Sequence, residues 1–108
     1  MGTIYMVRVY MNGELVEESI EKEYRVPLRY EENACAFTYI DEVICEYIDL
    51  KHLHYELWYP SEIWGYFIDS NGREVEFKGY TDTDGRIAVV KIEYNDTNYE
   101  IVVEEIEE

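Results

Sequence analysis

Three polar-glycine pairs, Asn12-Gly13, Asn71-Gly72 and Asp84-Gly85, each fall between segments rich in β-branched and aromatic residues. This is the strongest short-range hairpin signal a sequence carries, because turns whose twist matches paired strands need the positive φ that Gly and Asn adopt at low cost. A fourth break runs from Asn95 to Asn98. The chain is thereby constrained to antiparallel strands joined in sequence. Thr3 to Met11 is expected to pair with Glu14 to Tyr24, with Arg25 to Tyr30 extending that strand or forming a short edge strand around Pro27.

From Glu32 to Leu50 the period changes. Ala36, Phe37, Ile40, Val43, Ile44, Tyr47 and Ile48 recur at three- and four-residue spacing, which predicts one helix over 32–50. After it Leu53 to Tyr59, Ile63 to Asp69, Arg73 to Tyr80, Arg86 to Tyr94 and Tyr99 to Ile106 read as an antiparallel meander. The expected fold is α+β and two-layered: one helix packed on a twisted antiparallel sheet, order ββαβββββ. A chain of 108 residues with no internal repeat or linker is expected to form a single domain over 1–108, made of an N-terminal hairpin (3–30), a helix (32–50) and a meander (53–106). Its apolar content of 47% and aromatic content of 16% argue against disorder.

Twenty-five acidic against nine basic residues leave a formal charge of −16, where a small domain usually carries a magnitude of about 2–8. Such a field disfavours bare nucleic acid and anionic membranes as partners and favours basic protein surfaces. No apolar run approaches the length of a membrane span. Cys35 and Cys45 lie ten residues apart in the expected helix, so they project about 80° and some 15 Å apart and cannot bridge. Free thiols and the lack of a charged-then-apolar leader lead to an expectation of a cytoplasmic protein. Asn95-Asp96-Thr97 matches a glycosylation sequon and reads as turn chemistry in that setting.

Searches for catalytic machinery return little. His52, His54 and Glu56 form an H-x-H-x-E run that would share one face of a strand, but no third nitrogen or sulfur ligand is near in sequence. They read as surface residues, with His52 favouring the helix C-terminus electrostatically. Asp82-Thr83-Asp84-Gly85 resembles a calcium loop, yet Tyr80 stands where the first ligand belongs and Lys91 where the bidentate Glu is required. No serine sits in a G-x-S-x-G elbow, and neither cysteine has a neighbouring base. No glycine-rich phosphate cradle is present, and no cofactor or metal site is expected.

Charge placement is more informative. Residues 1–30 hold five acids and four bases, whereas residues 31–108 carry twenty acids and five bases, a net −15. On a helical wheel Glu42, Glu46 and Asp49 cluster away from Ile40, Ile44 and Tyr47, with Asp41 at the flank. Glu42 and Glu46 are about 6 Å apart in rise. In the last strand Glu100 and Glu104 share one face, Glu105 and Glu107 the other, with roughly 6.6 Å between same-face neighbours. Residues 31–50 contain no Lys or Arg to interrupt the row. Duplex DNA presents one charge per about 1.7 Å of axis, which such carboxylate rows imitate in part.

In size, charge and these carboxylate rows the chain resembles the small acidic proteins of phages and mobile elements that inhibit nucleic-acid-binding defence enzymes, as many anti-CRISPR and antirestriction proteins do. The resemblance implies an inhibitor that occupies a basic nucleic-acid-binding surface of a host protein as a nucleic-acid mimic, in the host cytoplasm, without touching nucleic acid or membrane itself. The binding surface is expected on the solvent face of the helix together with the last strand: Asp41, Glu42, Glu46, Asp49, Glu100, Glu104, Glu105 and Glu107. Twelve tyrosines exceed what one small core requires. Exposure of Trp58, Trp64 or Tyr66 would add an aromatic contact bordered by carboxylates. Two other classes stand beside this one: a small-ligand domain or enzyme with a pocket between helix and sheet, and an oligomerising structural subunit built on long exposed strands.

Overall fold

The structure, a computed structural model, describes residues 3–23, 37–58, 61–81 and 86–106. Its elements are β1 (Thr3–Met11), β2 (Glu14–Glu23), α1 (Phe37–Tyr47), β3 (Leu50–Trp58), β4 (Glu62–Asp69), β5 (Glu74–Thr81), β6 (Ile87–Tyr94) and β7 (Thr97–Ile106). The order is ββαβββββ, and the fold is two-layer α+β, as the sequence pattern predicts.

Turn chemistry sets the register. Asn12 (φ 52°) and Gly13 (φ 86°) close β1 onto β2, and Asn95 (φ 50°) and Asp96 (φ 62°) close β6 onto β7; both are two-residue turns with positive φ at each central residue. The sequon is therefore a hairpin turn. The two turns meet where the Asn12 N–H donates to the Asn98 carbonyl at 2.8 Å and the Asn98 N–H donates to Asn12 Oδ1 at 2.9 Å. The Asp84-Gly85 turn and the 25–30 extension lie outside the described residues.

All seven strands form one antiparallel sheet in the order β2-β1-β7-β6-β5-β4-β3. β3 to β7 make the meander, and the N-terminal hairpin joins it by laying β1 against β7. Alternation decides this docking: Tyr5, Val7 and Val9 of β1 stand opposite Glu105, Val103 and Ile101 of β7, so the buried apolar residues of both strands fall on one face. Ala88, Val90 and Ile92, Phe77, and Ile63 and Phe67 continue that face across β6, β5 and β4.

α1 lies over β7 and β6 on this face, burying Ile40, Val43, Ile44 and Ile48 in the same hydrophobic cluster. An isolated helix of 11 residues is marginal in water, so packing is what holds it. The thinnest extent of the molecule, 21 Å, matches one sheet and one helix at about 10 Å each.

The helix is shorter than the expected 32–50. Residues 32–36 lie outside the described ones, and α1 stops at Tyr47 because the chain ahead is recruited by the sheet. The Ile48 N–H still bonds to the Ile44 carbonyl at 2.9 Å, but the Asp49 carbonyl accepts the Ser70 N–H at 3.1 Å and Leu50 pairs with Asp69. Strand β3 therefore starts at Leu50 rather than Leu53, with an irregularity between Leu50 and His52 that turns the following residues into register.

Asp69 secures this corner. Its buried carboxylate accepts the N–H groups of Asn71 (3.0 Å) and Arg73 (2.8 Å) and the Tyr94 hydroxyl (3.0 Å), and lies 3.4 Å from Arg73 Nε. The Arg73 N–H, despite the cost of burial, holds the carboxyl below the usual Asp range, with Tyr94 and Asn71 adding to the effect. The contact matters because β5 and β6 pair only from Lys78–Thr81 to Ala88–Lys91. Beyond Lys78 they part, and Tyr94 packs edge-to-face with Phe67 at 5.5 Å between centroids.

Candidate interaction surface

The face of the sheet turned away from α1 carries no helix among the described residues, and it is neither uniformly polar nor uniformly acidic. Next to the β3 edge, β3 and β4 place His52, His54, Trp64 and Tyr66 together, because His54 stands opposite Tyr66 and Glu56 opposite Trp64. Ring centroids are 5.4 Å apart for His54–Tyr66, 5.9 Å for His52–Tyr66 and Trp64–Tyr66, and 6.3 Å for His54–Trp64. His52 and His54 are exposed and Trp64 and Tyr66 half-buried. Carboxylates border the group: Glu56 beside Trp64, Glu76 beside Tyr66 and Glu74 beside Ile68. The Trp58 side chain is outside the described ones.

This placement corrects the role expected of His52. The helix ends at Tyr47, and His52 sits in β3 on the opposite face of the sheet, against Tyr66 rather than at the helix terminus. His52, His54 and Glu56 do share one strand face, but among the described residues no group of three or more His, Cys, Asp or Glu is placed to hold a metal ion.

The five acidic candidates whose side chains are described divide between two surfaces. Glu46 and Asp49 are exposed on the helix side; Asp41 and Glu42 belong to α1, but their side chains are outside the described ones, as is Glu107 altogether. Glu100 and Glu104 project to the other side of the sheet, because their neighbours Ile101 and Val103 are buried under the helix layer. Glu105 returns to the helix side. Glu46 and Asp49 therefore lie on the opposite side of the sheet from Glu100 and Glu104, and among the described candidates of β7 Glu105 adjoins the helix side. β7 is also an interior strand, so its backbone is engaged on both flanks.

Several cations of the chain are spent internally. Arg8 Nε donates to Glu18 Oε2 at 2.9 Å, Arg86 Nε to Glu105 Oε2 at 3.3 Å, and Lys91 Nζ lies 3.9 Å from Glu100 Oε2. With Arg73 on Asp69, four basic residues each stand against a carboxylate. The surplus of acid is left without them.

On the helix side, Tyr47 links α1 to the hairpin by donating its hydroxyl to Glu17 Oε1 at 2.6 Å. Partial burial, then the bond to Glu17, pushes this phenol up to about 12. A cleft of about 570 Å³ opens where β5 and β6 part, lined by Tyr10, Glu76, Lys78, Lys91, Glu93 and Glu100 among others. Its lining also includes Phe77, Ile92 and Tyr99, which belong to or pack against the cluster that Ile40, Ile44 and Ile48 join. Cys45 is a free, exposed thiol, and no helix among the described residues is long and apolar enough to cross a membrane.

The aromatic group was partly legible. His52, His54, Trp64 and Tyr66 sit at alternate positions of two strands, and alternation places such residues on one face; what the sequence lacked was the register that brings the two strands' rings together. No family model, no curated protein and no solved structure matches the chain.

Proposed function

We propose that this protein acts by binding rather than by catalysis, engaging a basic, nucleic-acid-binding surface of another protein and so denying that surface to nucleic acid. The observation that supports this most is the disposition of charge. The chain carries −16, Arg8, Arg73, Arg86 and Lys91 are each matched to a carboxylate within the molecule, and Glu46 and Asp49, which pair with no basic residue among the described ones, stand exposed on the helix side. A surface of this sign accelerates encounter with basic partners and suppresses acidic ones. In this reading Asp41, Glu42 and Glu46 of the helix, with Asp49 just beyond its end, are the mimic of a phosphate row. The setting is the cytoplasm of a host cell.

The test is capture from a cell extract on immobilised protein, with elution in rising salt. The reading expects a basic nucleic-acid-binding protein released as salt rises, because exposed charges are screened beyond a Debye length of about 8–10 Å. It also expects cumulative weakening on Glu42→Lys, Glu46→Lys and Asp49→Lys. Unchanged capture by the triple variant removes the helix row from the interface.

A further inference from the structure

We infer that the opening between β5 and β6 is a binding site for a small amphoteric molecule, one that carries an ammonium and a carboxylate at the two ends of a short apolar chain. This is a second binding function, independent of the acidic helix side, since Glu46 and Asp49 lie across the sheet from it. The opening is framed at both ends. Among the described residues β5 and β6 pair only from Lys78–Thr81 to Ala88–Lys91. Each nevertheless stays laddered to its outer neighbour, β5 to β4 as far as Glu74 and β6 to β7 as far as Tyr94. At the far end the two are tied again: Arg73 Nη2 donates to Asn95 Oδ1, and the guanidinium lies 5.2 Å from the centre of the Tyr94 ring. Asp69 holds both partners, through the Arg73 N–H and the Tyr94 hydroxyl. Two fixed ends therefore keep a gap between two anchored strands. The cleft of about 570 Å³ falls within the roughly 300–1,000 Å³ of small-ligand sites.

The lining is polarised along the strands. Phe77 and Ile92 are buried toward the helix layer, so their exposed neighbours Glu76, Lys78, Lys91 and Glu93 project to the opposite face. Lys78 stands opposite Lys91 where pairing stops, and the same register continued across the gap sets Glu76 opposite Glu93. Two ammonium groups thus mark one end and two carboxylates the other, about 6.6 Å apart along each strand. Lys91 lies 3.9 Å from Glu100, whereas Glu76, Lys78 and Glu93 enter no ion pair among the described residues. Phe77, Ile92 and Tyr99 add apolar surface to the lining. A ligand of a single sign meets repulsion at one end of this site. An amphoteric chain satisfies both ends and sets its methylenes against the apolar lining, so the like charges at each end select for it.

The experiment titrates the full chain with 5-aminopentanoate, whose extended length matches that interval, followed by calorimetry and by amide NMR spectra. Expected are a dissociation constant of about 1 mM and shifts centred on residues 76–78 and 91–93. Pentylamine, pentanoate and glycine, which lack the carboxylate, the ammonium and the spacing respectively, should each bind at least about tenfold more weakly. Lys78→Ala should bring 5-aminopentanoate down to the level of pentylamine, and Glu76→Gln with Glu93→Gln to that of pentanoate. Glu62→Gln, an exposed acid at the other end of β4, serves as the control that leaves binding unchanged, and unchanged spectra away from the cleft show that each variant folds. Pentylamine or pentanoate binding as tightly as 5-aminopentanoate, shifts centred outside the cleft, or no binding at about tenfold the expected constant each overturn the inference. The salt-dependent capture proposed for the helix side stands or falls separately.

Discussion

Replacing Ile44 by Ala tests whether α1 belongs to the same cooperative unit as the sheet. Ile44 is 1% exposed and lies in the central cluster. The substitution removes three carbons, about 2.4 kcal/mol at roughly 0.8 kcal/mol per buried methylene. The space left adds to this at about 24 cal/mol per Å³ of residual cavity, so the total lands near 3–4 kcal/mol, inside the range of about 2–5 kcal/mol for such truncations. For a domain of this size that lowers Tm by roughly 12–20 °C. The assay is urea unfolding followed by tryptophan fluorescence and by far-ultraviolet circular dichroism, with Ile20→Ala as the control. Ile20 is 57% exposed on β2, so its truncation should stay within about 0.5 kcal/mol. A loss below about 1 kcal/mol for Ile44→Ala, or a helix signal that melts separately from the fluorescence, refutes the account of how the helix is held.

Three further outcomes follow from individual contacts. A Cβ at Gly65 would clash with Phe77 Cζ and stand 2.7 Å from the His54 carbonyl oxygen, so Gly65→Ala should cost about 1–3 kcal/mol, with part recovered by Phe77→Leu in chemical denaturation. Asp69 titrates below its unfolded value, so its contribution is complete above the ordinary Asp range and is lost as pH falls through the folded pKa. Asp69→Asn should therefore lower stability at neutral pH and flatten the acid limb of the stability–pH curve, and an unchanged acid limb contradicts the corner as described. Tyr47 is raised from 10.0 to about 12, so its contribution is complete below pH 10 and lost as pH rises toward 12. Tyr47→Phe should cost about 0.5–1.5 kcal/mol at neutral pH and show less alkaline destabilisation than the parent across that window.

Local chemistry reveals most of this fold because most of its connections are hairpins. Asn12-Gly13 and the Asn95–Asn98 break each define a turn whose residues determine the turn type, and alternation then assigns β1, β4, β5, β6 and β7 a buried face. The order of the strands is not local. That β1 lies against β7 depends on two matching apolar faces, Tyr5, Val7 and Val9 with Ile101 and Val103, drawn from opposite ends of the chain. The end of the helix is obscure for a related reason: Ile48 and Leu50 fit helical spacing, and only pairing of Leu50 with Asp69 shows that a strand has begun. The same limit governs the candidate surface. Helical and strand periodicity correctly placed Glu100 and Glu104 on one side of β7 and Glu105 on the other, but which side faces the helix depends on the burial of Ile101 and Val103. Periodicity alone therefore groups the helix acids with Glu100 and Glu104 as one surface, whereas the sheet separates Glu46 and Asp49 from that pair.

The most direct test of the central claim is the dissociation constant of a captured partner, measured for the parent chain and for the variant with Glu42, Glu46 and Asp49 changed to Lys, each at low and high ionic strength. The account predicts that salt weakens the parent's binding steeply, that the variant binds more weakly at low salt, and that the two converge as screening removes the charge contribution. Equal affinities for parent and variant, with no dependence on salt, would contradict it.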